Sequence, residues 1–230
     1  MKRFYKDVTV ASIDDGWRAL LDGRGIKTPG GRPQVVPTKA LAEALAAEWA
    51  AQGEEIDPGA FRYRDLTDFT IDAVAPDPAT IVAELLPYAE TDTLCYRADP
   101  DEALYKRQLE VWEPLLAHVE ARLGVQFTRV SGIVHKPQPE PTLAQLRTEL
   151  TGRSPFALAA LKVLANLAGS LTIALEAIEP KADAEALWRA ANLEEDWQVE
   201  LWGDDWEAAE RRATRFEAFQ LAMRLAQLAG

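Results

Sequence analysis

The chain has 230 residues, 48% of them apolar and 27% charged, which suits one large or two modest globular domains with ample core. Its 37 acidic and 25 basic residues give a formal net charge of −12, which disfavours nucleic acid and acidic lipid as partners, because both demand a positive patch. One cysteine, Cys95, excludes an internal disulfide and reads as a small buried hydrophobe rather than a reactive thiol.

The first 37 residues carry hairpin signals. FYKDVTV alternates, IDDG supplies a turn at Gly16, WRALLDG forms a second run with Trp17 as a core anchor, and Asp22-Gly23 turns again. GIKT and QVVP read as further short strands around the PGGRP loop. Thr38 then caps a helix, KALAEALAAEWAAQ, whose Leu41, Leu45 and Trp49 make one packing stripe.

The polar stretch GEEIDP at Gly53–Pro58 is the best domain boundary, so residues 1–57 are expected to form a small antiparallel β-rich domain with one helix, and 58–230 a helical domain. FRYRDLTDFTIDAV is a helix ended by PDP, and Asp77-Pro78 opens ATIVAELLPYA. Asp99-Pro100 is expected to open the helix through Leu123, with Glu102 in the capping-box position and Gly124 as its stop. VQFTRVSGIV is extended, PTLAQLRTELTG is a short helix, and Ser154-Pro155 caps the apolar run Phe156–Ile178. Lys162, Asn166, Gly169, Ser170 and Glu176 make that run a buried helix pair rather than a membrane span. The fold class is α+β.

Four of the seven tryptophans, Trp188, Trp197, Trp202 and Trp206, lie within nineteen residues, interleaved with carboxylates. Asn192 with Glu195 reads as an N-x-x-E cap, Gly203 ends that helix, and Asp204 with Glu207 caps the last. Such a segment suits recognition of another protein by a packed face beside an acidic face.

Catalytic and ligand-binding constellations are not apparent. His118 and His135 are isolated, one Cys and two His cannot assemble a tetrahedral zinc set, and GRGIKTPGG lacks phosphate-loop spacing and reads as a turn. No catalytic residue, cofactor or metal is expected. The N-terminus MKRFYKDVTV has no apolar leader run, so the chain reads as cytoplasmic.

Six motifs in one order resemble the family of assembly chaperones for the α subunit of the F-type ATP synthase catalytic sector. They are GWRALLDGRGIKTPGG, VVPTKALAEALAAEWAAQGEEIDP, ETDTLCYRA, the Trp112–Leu116 run WEPLL, GIVHKPQP with GSLTIAL, and LEEDWQVELWG. RYRDLTDFTIDAV departs from the family pattern near Arg62–Asp68. The resemblance implies a β-rich N-terminal domain joined to a helical one, no enzymatic activity, no cofactor, and binding of the unassembled α subunit before its hand-over to the α–β hexamer. It also implies no integral membrane segment, a free monomer, and residence in the bacterial cytosol or, for eukaryotic relatives, the mitochondrial matrix. On the last motif, Glu194, Glu195, Gln198 and Trp202 are the expected partner-binding residues. Trp197 and Leu201 are expected to pack, Glu195 either to cap the helix or to contact the client, and Trp202 to pack in the core or join the surface. A different reading is an enzyme or small-molecule-binding protein with its site between the two domains.

Overall fold

The computed structural model describes residues 1–132, 134–203 and 206–230. The chain forms two compact units. The first comprises Met1–Pro78 with residues 154–159 and 224–230, and the second Ala79–Arg153 with residues 160–223. The α+β class read from the sequence is what the chain adopts.

In the first unit, β1 (Val8–Ile13) and β2 (Gly16–Leu21) form an antiparallel hairpin, and β3 (Arg24–Gly25) pairs with β2 across the Asp22-Gly23 turn. The GIKT and QVVP stretches join through isolated bridges, Trp17–Val36 and Lys27–Pro33, and the Gln34 N–H bond to Ile26 O, and do not form full strands. Alternation along β2 buries Ala19 and Leu21, and Trp17 is half-buried beside them. Helix α1 (Lys39–Ala50) starts where Thr38 Oγ1 accepts the Leu41 N–H at 3.1 Å. Its Leu41, Ala42 and Leu45 complete a core with Ala19, Val36, Leu225 and Ala229. Trp49 joins a second cluster with Tyr5, Leu21, Ile56 and Phe61. Helix α2 (Arg62–Phe69) runs on into a π-helical turn, Thr70–Val74. Its first turn is capped from outside, because the Glu48 carboxylate accepts the N–H groups of Tyr63 and Arg64 at 2.7 and 2.9 Å. The 28–32 loop is a turn fixed by Asp72, which accepts from Thr28 Oγ1 and from the Gly30 N–H, each at 2.8 Å.

The second unit holds α3 (Pro78–Leu85), α4 (Pro87–Glu90), α5 (Ala103–Leu123), α6 (Glu140–Thr151), α7 (Pro155–Ala168), α8 (Leu171–Ala177), α9 (Ala184–Ala191), α10 (Leu193–Trp202) and α11 (Trp206–Ala229). The starting turn of α7 and the closing turns of α11 belong to the first unit. Helix α5 begins at Ala103 with no side-chain cap from Glu102, and Asp99-Pro100 form a preceding turn in which Asp99 accepts the Glu102 N–H at 2.9 Å. The expected Asp-Pro start is therefore displaced by one turn. Gly124 ends the helix in the left-handed region at φ 66°, as a glycine stop should. The apolar run divides into α7 and α8 at Gly169, where φ is 62° and an added Cβ would lie 2.8 Å from Thr93 Oγ1. Among the described residues no helix is long and apolar enough to cross a membrane.

The internal motifs are polar fasteners within this unit. Asp92 is fully buried and accepts the N–H groups of Leu94 and Thr172 at 3.0 and 2.8 Å, while Ser170 caps α8 through the Ile173 N–H. Burial pushes the Asp92 carboxyl above its ordinary range. The two-residue parallel pair β4 (Tyr96–Arg97) and β5 (Val130–Ser131) is tied to α5 by buried Arg97 and by Arg129, each 2.6 Å from Glu113. Arg129 also pairs with Glu120. Burial pushes the Glu113 carboxyl up, but the two guanidinium groups outweigh it and hold it below the ordinary range. Cys95 is fully buried, and burial pushes its thiol up, consistent with a packing role. His118 Nδ1 lies 2.7 Å from Glu176, and His135 Nδ1 lies 2.8 Å from the Tyr96 hydroxyl. Among the described residues no group of three or more His, Cys, Asp or Glu could hold a metal ion.

Candidate protein-binding surface

Helix α10 carries four carboxylates and no basic residue. Three of them are occupied inside the molecule. Glu194 Oε1 accepts from Nε2 of buried Gln108 at 2.8 Å, and Glu200 lies 3.2 Å from Arg107, both partners being on α5. Asp196 pairs with Arg212 on α11. Glu195 is the least committed, with 60% of its side chain exposed and Arg215 at 3.9 Å. Burial pushes the Glu194 carboxyl above its ordinary value, and the Gln108 hydrogen bond only partly offsets that. A carboxylate kept partly desolvated beside an amide, when water lay within reach, is a group retained at some cost.

Asn192 does not cap α10. Its Nδ2 donates back to Trp188 O at 2.8 Å, and the helix starts without a side-chain cap. Glu195 therefore sits in no capping box, because the reciprocal Asn bond is missing. The proposed cap at Asp204 lies outside the described residues. Gly203 ends α10 at φ 91°.

The tryptophans divide sharply. Trp188 is buried against Phe216 and Phe219, with ring centroids 5.7 and 5.4 Å away, and the Arg215 guanidinium stands 5.5 Å above it. Trp197 is half-buried. Trp202 is 82% exposed and Trp206 73%, so the expectation that Trp202 packs in the core is overturned. Leu201, expected to pack, is 57% exposed, and Val199 is 39% exposed. Helix α10 meets α5 through the polar pairs Glu194–Gln108 and Glu200–Arg107, and these apolar side chains are left uncovered. Between α10 and α11 runs a groove of about 760 Å³, lined by Trp188, Glu195, Gln198, Val199, Arg211 and Phe216 among others.

Val199, Leu201 and Trp202 at the end of α10 and Trp206 at the start of α11 are exposed apolar side chains close in sequence, the kind of feature that marks a candidate surface for another protein. The arrangement offers no nucleophile with a paired base. Val199, Leu201 and Trp206 were not among the expected contact residues; the only signal for them was two tryptophans straddling the Gly203 stop.

Known proteins give this surface its context. The sequence profile described as ATP12 chaperone protein matches residues 2–120. The mitochondrial protein atp12 of Schizosaccharomyces pombe is 27% identical over 220 residues, covering 88% of this chain and 74% of the yeast protein. The crystal structure of Atp12 from Paracoccus denitrificans is 37% identical and superposes with a TM-score of 0.95, over 100% of this chain and 98% of that one. Atu1473 from Agrobacterium tumefaciens is 39% identical with a TM-score of 0.92, over 98% of this chain and 85% of that one. The chain belongs to the ATP12 chaperone family, and its role by family is that of an ATP synthase assembly chaperone.

Proposed function

We propose that this chaperone binds the unassembled α subunit of the ATP synthase catalytic sector through α10 and the start of α11, and releases it for assembly with β subunits. Glu194, Glu195, Gln198 and Trp202 are the contact residues in this reading, joined by Leu201 and Trp206. The protein makes and breaks no covalent bond, needs no cofactor, works as a free monomer, and acts in the bacterial cytosol or the mitochondrial matrix.

The observation that carries the reading is the pair of exposed tryptophans, Trp202 and Trp206, beside an acidic helix in a chain of this family. An unassembled subunit exposes apolar surface that its neighbours later bury, and such surface aggregates when left bare. Large aromatic side chains supply most of the binding energy at interfaces, while fixed charges around them set register and keep the contact reversible. A chaperone must let go, so a small aromatic patch inside a polar rim suits it better than a broad apolar one.

The test uses purified α subunit at micromolar concentration. The chain should suppress its aggregation, read by light scattering, and co-elute with it on a sizing column. Absence of both effects ends this reading.

A further inference from the structure

In the first unit the sheet leaves one edge open. Strand order is β1-β2-β3, so β1 is paired on one side only. The register fixes which of its backbone groups face outward. The Trp17 N–H and C=O both bond Val36, at 2.9 and 2.8 Å, so they point away from β1, and Trp17 lies opposite Ser12. Backbone groups alternate sides along a strand, so Val10 opposite Ala19 and Val8 opposite Leu21 are likewise outside the β1–β2 ladder. The N–H and C=O groups of Val8, Val10 and Ser12 therefore line the outer edge, and none has a hydrogen bond among the described residues. Backbone polar groups without a partner belong in water, and here Val8 and Val10 are partly exposed and Ser12 is exposed.

Proteins usually blunt such an edge with lysine, proline, a bulge or a very short strand, because it is a template for another strand. The opposite side of the sheet follows that rule. Strand β3 has two residues, one of them Arg24, and the chain beyond it carries Lys27 and Pro33, joined by an isolated bridge. Strand β1 does not follow it. VTVASI is six residues, about 20 Å, with no charge and no proline, and its one-to-one register from Val8 to Ile13 leaves no bulge.

The surroundings select what can pair there. The side chains of Val8 and Val10 turn to the core, against the clusters of Trp49 and of Leu41 and Leu45, so residues placed directly opposite them would stand on the same apolar face. At the hairpin end, exposed Asp14 and Asp15 make no ion pair among the described residues. The Arg18 guanidinium lies against Gly25 of β3, on the far side of β2. At the other end of β1, Lys6 and Asp7 carry opposite charges. The edge is thus a bare ladder with one negative end.

We propose that β1 pairs with an extended segment of a protein partner, added antiparallel as a further strand, with apolar side chains opposite Val8, Val10 and Ser12 and a basic residue opposite Asp14. Backbone hydrogen bonds supply the affinity, and the Asp14-Asp15 turn favours a strand whose basic residue comes first. It is a second recognition site, read through the backbone, and does not depend on what α10 binds.

The experiment uses the full ¹⁵N-labelled chain, without α subunit, and reads amide hydrogen exchange along β1. In the free chain Thr9, Ala11 and Ile13, which face β2, should exchange slowly, and Val8, Val10 and Ser12 fast. The probe is acetyl-Lys-Thr-Val-Thr-Val-Thr-Val-amide, which at saturation should slow Val8, Val10 and Ser12 about tenfold or more. A twin N-methylated on its valines, whose N–H groups would face β1, should bind about tenfold more weakly, while a twin N-methylated on its threonines binds like the parent. Glutamate in place of the probe's lysine, or Asp14→Asn with Asp15→Asn in the chain, should weaken binding about threefold, the weight of an exposed charge pair. Trp202→Ala should change nothing. The proposal is overturned by unchanged exchange of those three amides at millimolar peptide, by equal binding of the two methylated twins, by equal binding of the lysine and glutamate peptides, or by protection in the free chain that grows with protein concentration and so reports a second copy on the edge.

Discussion

Two regions of this chain carry the family's polar motifs, and they do opposite things with them. Around α5, Asp92, Arg97 and Glu113 are spent on the protein itself: each is buried or half-buried and each finds a partner within 3.0 Å. On α10, similar residues in a similar density leave aromatic and aliphatic side chains bare at the helix end. A motif therefore says that a residue matters and not why. Polar residues are engaged inside the molecule in both regions, and what separates the two is whether the apolar side chains beside them are covered.

The contrast is easiest to break at Glu113. Glu113→Ala takes the carboxylate partner from buried Arg97, and because Glu113 is itself 42% exposed the loss should be about 1–2 kcal/mol of stability, read from the urea midpoint at pH 7. Because its folded carboxyl is held below the ordinary value of 4.5, that contribution is fully present above 4.5 and is lost as the pH falls through the lowered folded value. The mutant's deficit should shrink accordingly in acid, and α-subunit capture by the folded fraction should persist.

Trp202→Ala should do the reverse. With the side chain 82% exposed, stability should stay within about 0.5 kcal/mol, whereas client affinity should fall by about 2 kcal/mol, roughly thirtyfold. Lost stability with intact capture would exchange the roles of the two regions.

Glu194 lies on the border and sharpens it. Its folded carboxyl is raised, so the fold favours the protonated form, and stability drawn from this group falls as the pH rises above 4.5 toward the folded value. Glu194→Gln should then raise the urea midpoint slightly at pH 7, make no difference below 4.5, and weaken client binding. A midpoint difference that ignores pH would show that burial of the charge is not the cause.

The smallest effect belongs to Glu195. Its 3.9 Å pair with Arg215 is exposed on both sides, and such pairs contribute about 0–1 kcal/mol. Glu195→Ala should leave the urea curve unchanged and loosen the α subunit a fewfold, read by titration calorimetry. An unaltered affinity would confine the contact to the aromatic side chains.

Much of this was legible before folding. The Thr38 cap, the glycine stop at Gly124, the break at Gly169 and the Ser154-Pro155 start depend on a few consecutive residues, and local sterics fixed them. The misreadings at Asn192 and Asp99 have one cause. Each residue type can cap a helix, but the Asn192 side chain donates to Trp188 O instead, a local partner that competes with capping, and at Asp99 the backbone carbonyl accepts the Glu102 N–H in a turn that delays the helix. Two short segments, 154–159 and 224–230, return to the first unit from far along the chain, and no window of neighbouring residues can announce that.

Composition, periodicity and motif order determined the α+β class, the helix stops and the family, because these follow from backbone sterics and from residues read in sequence. Tertiary structure alone decided which tryptophans are covered and which carboxylates are engaged. Those outcomes depend on what stands opposite a side chain, and the opposing residues, Gln108 for Glu194 and Phe216 for Trp188, lie tens of positions away or across another helix.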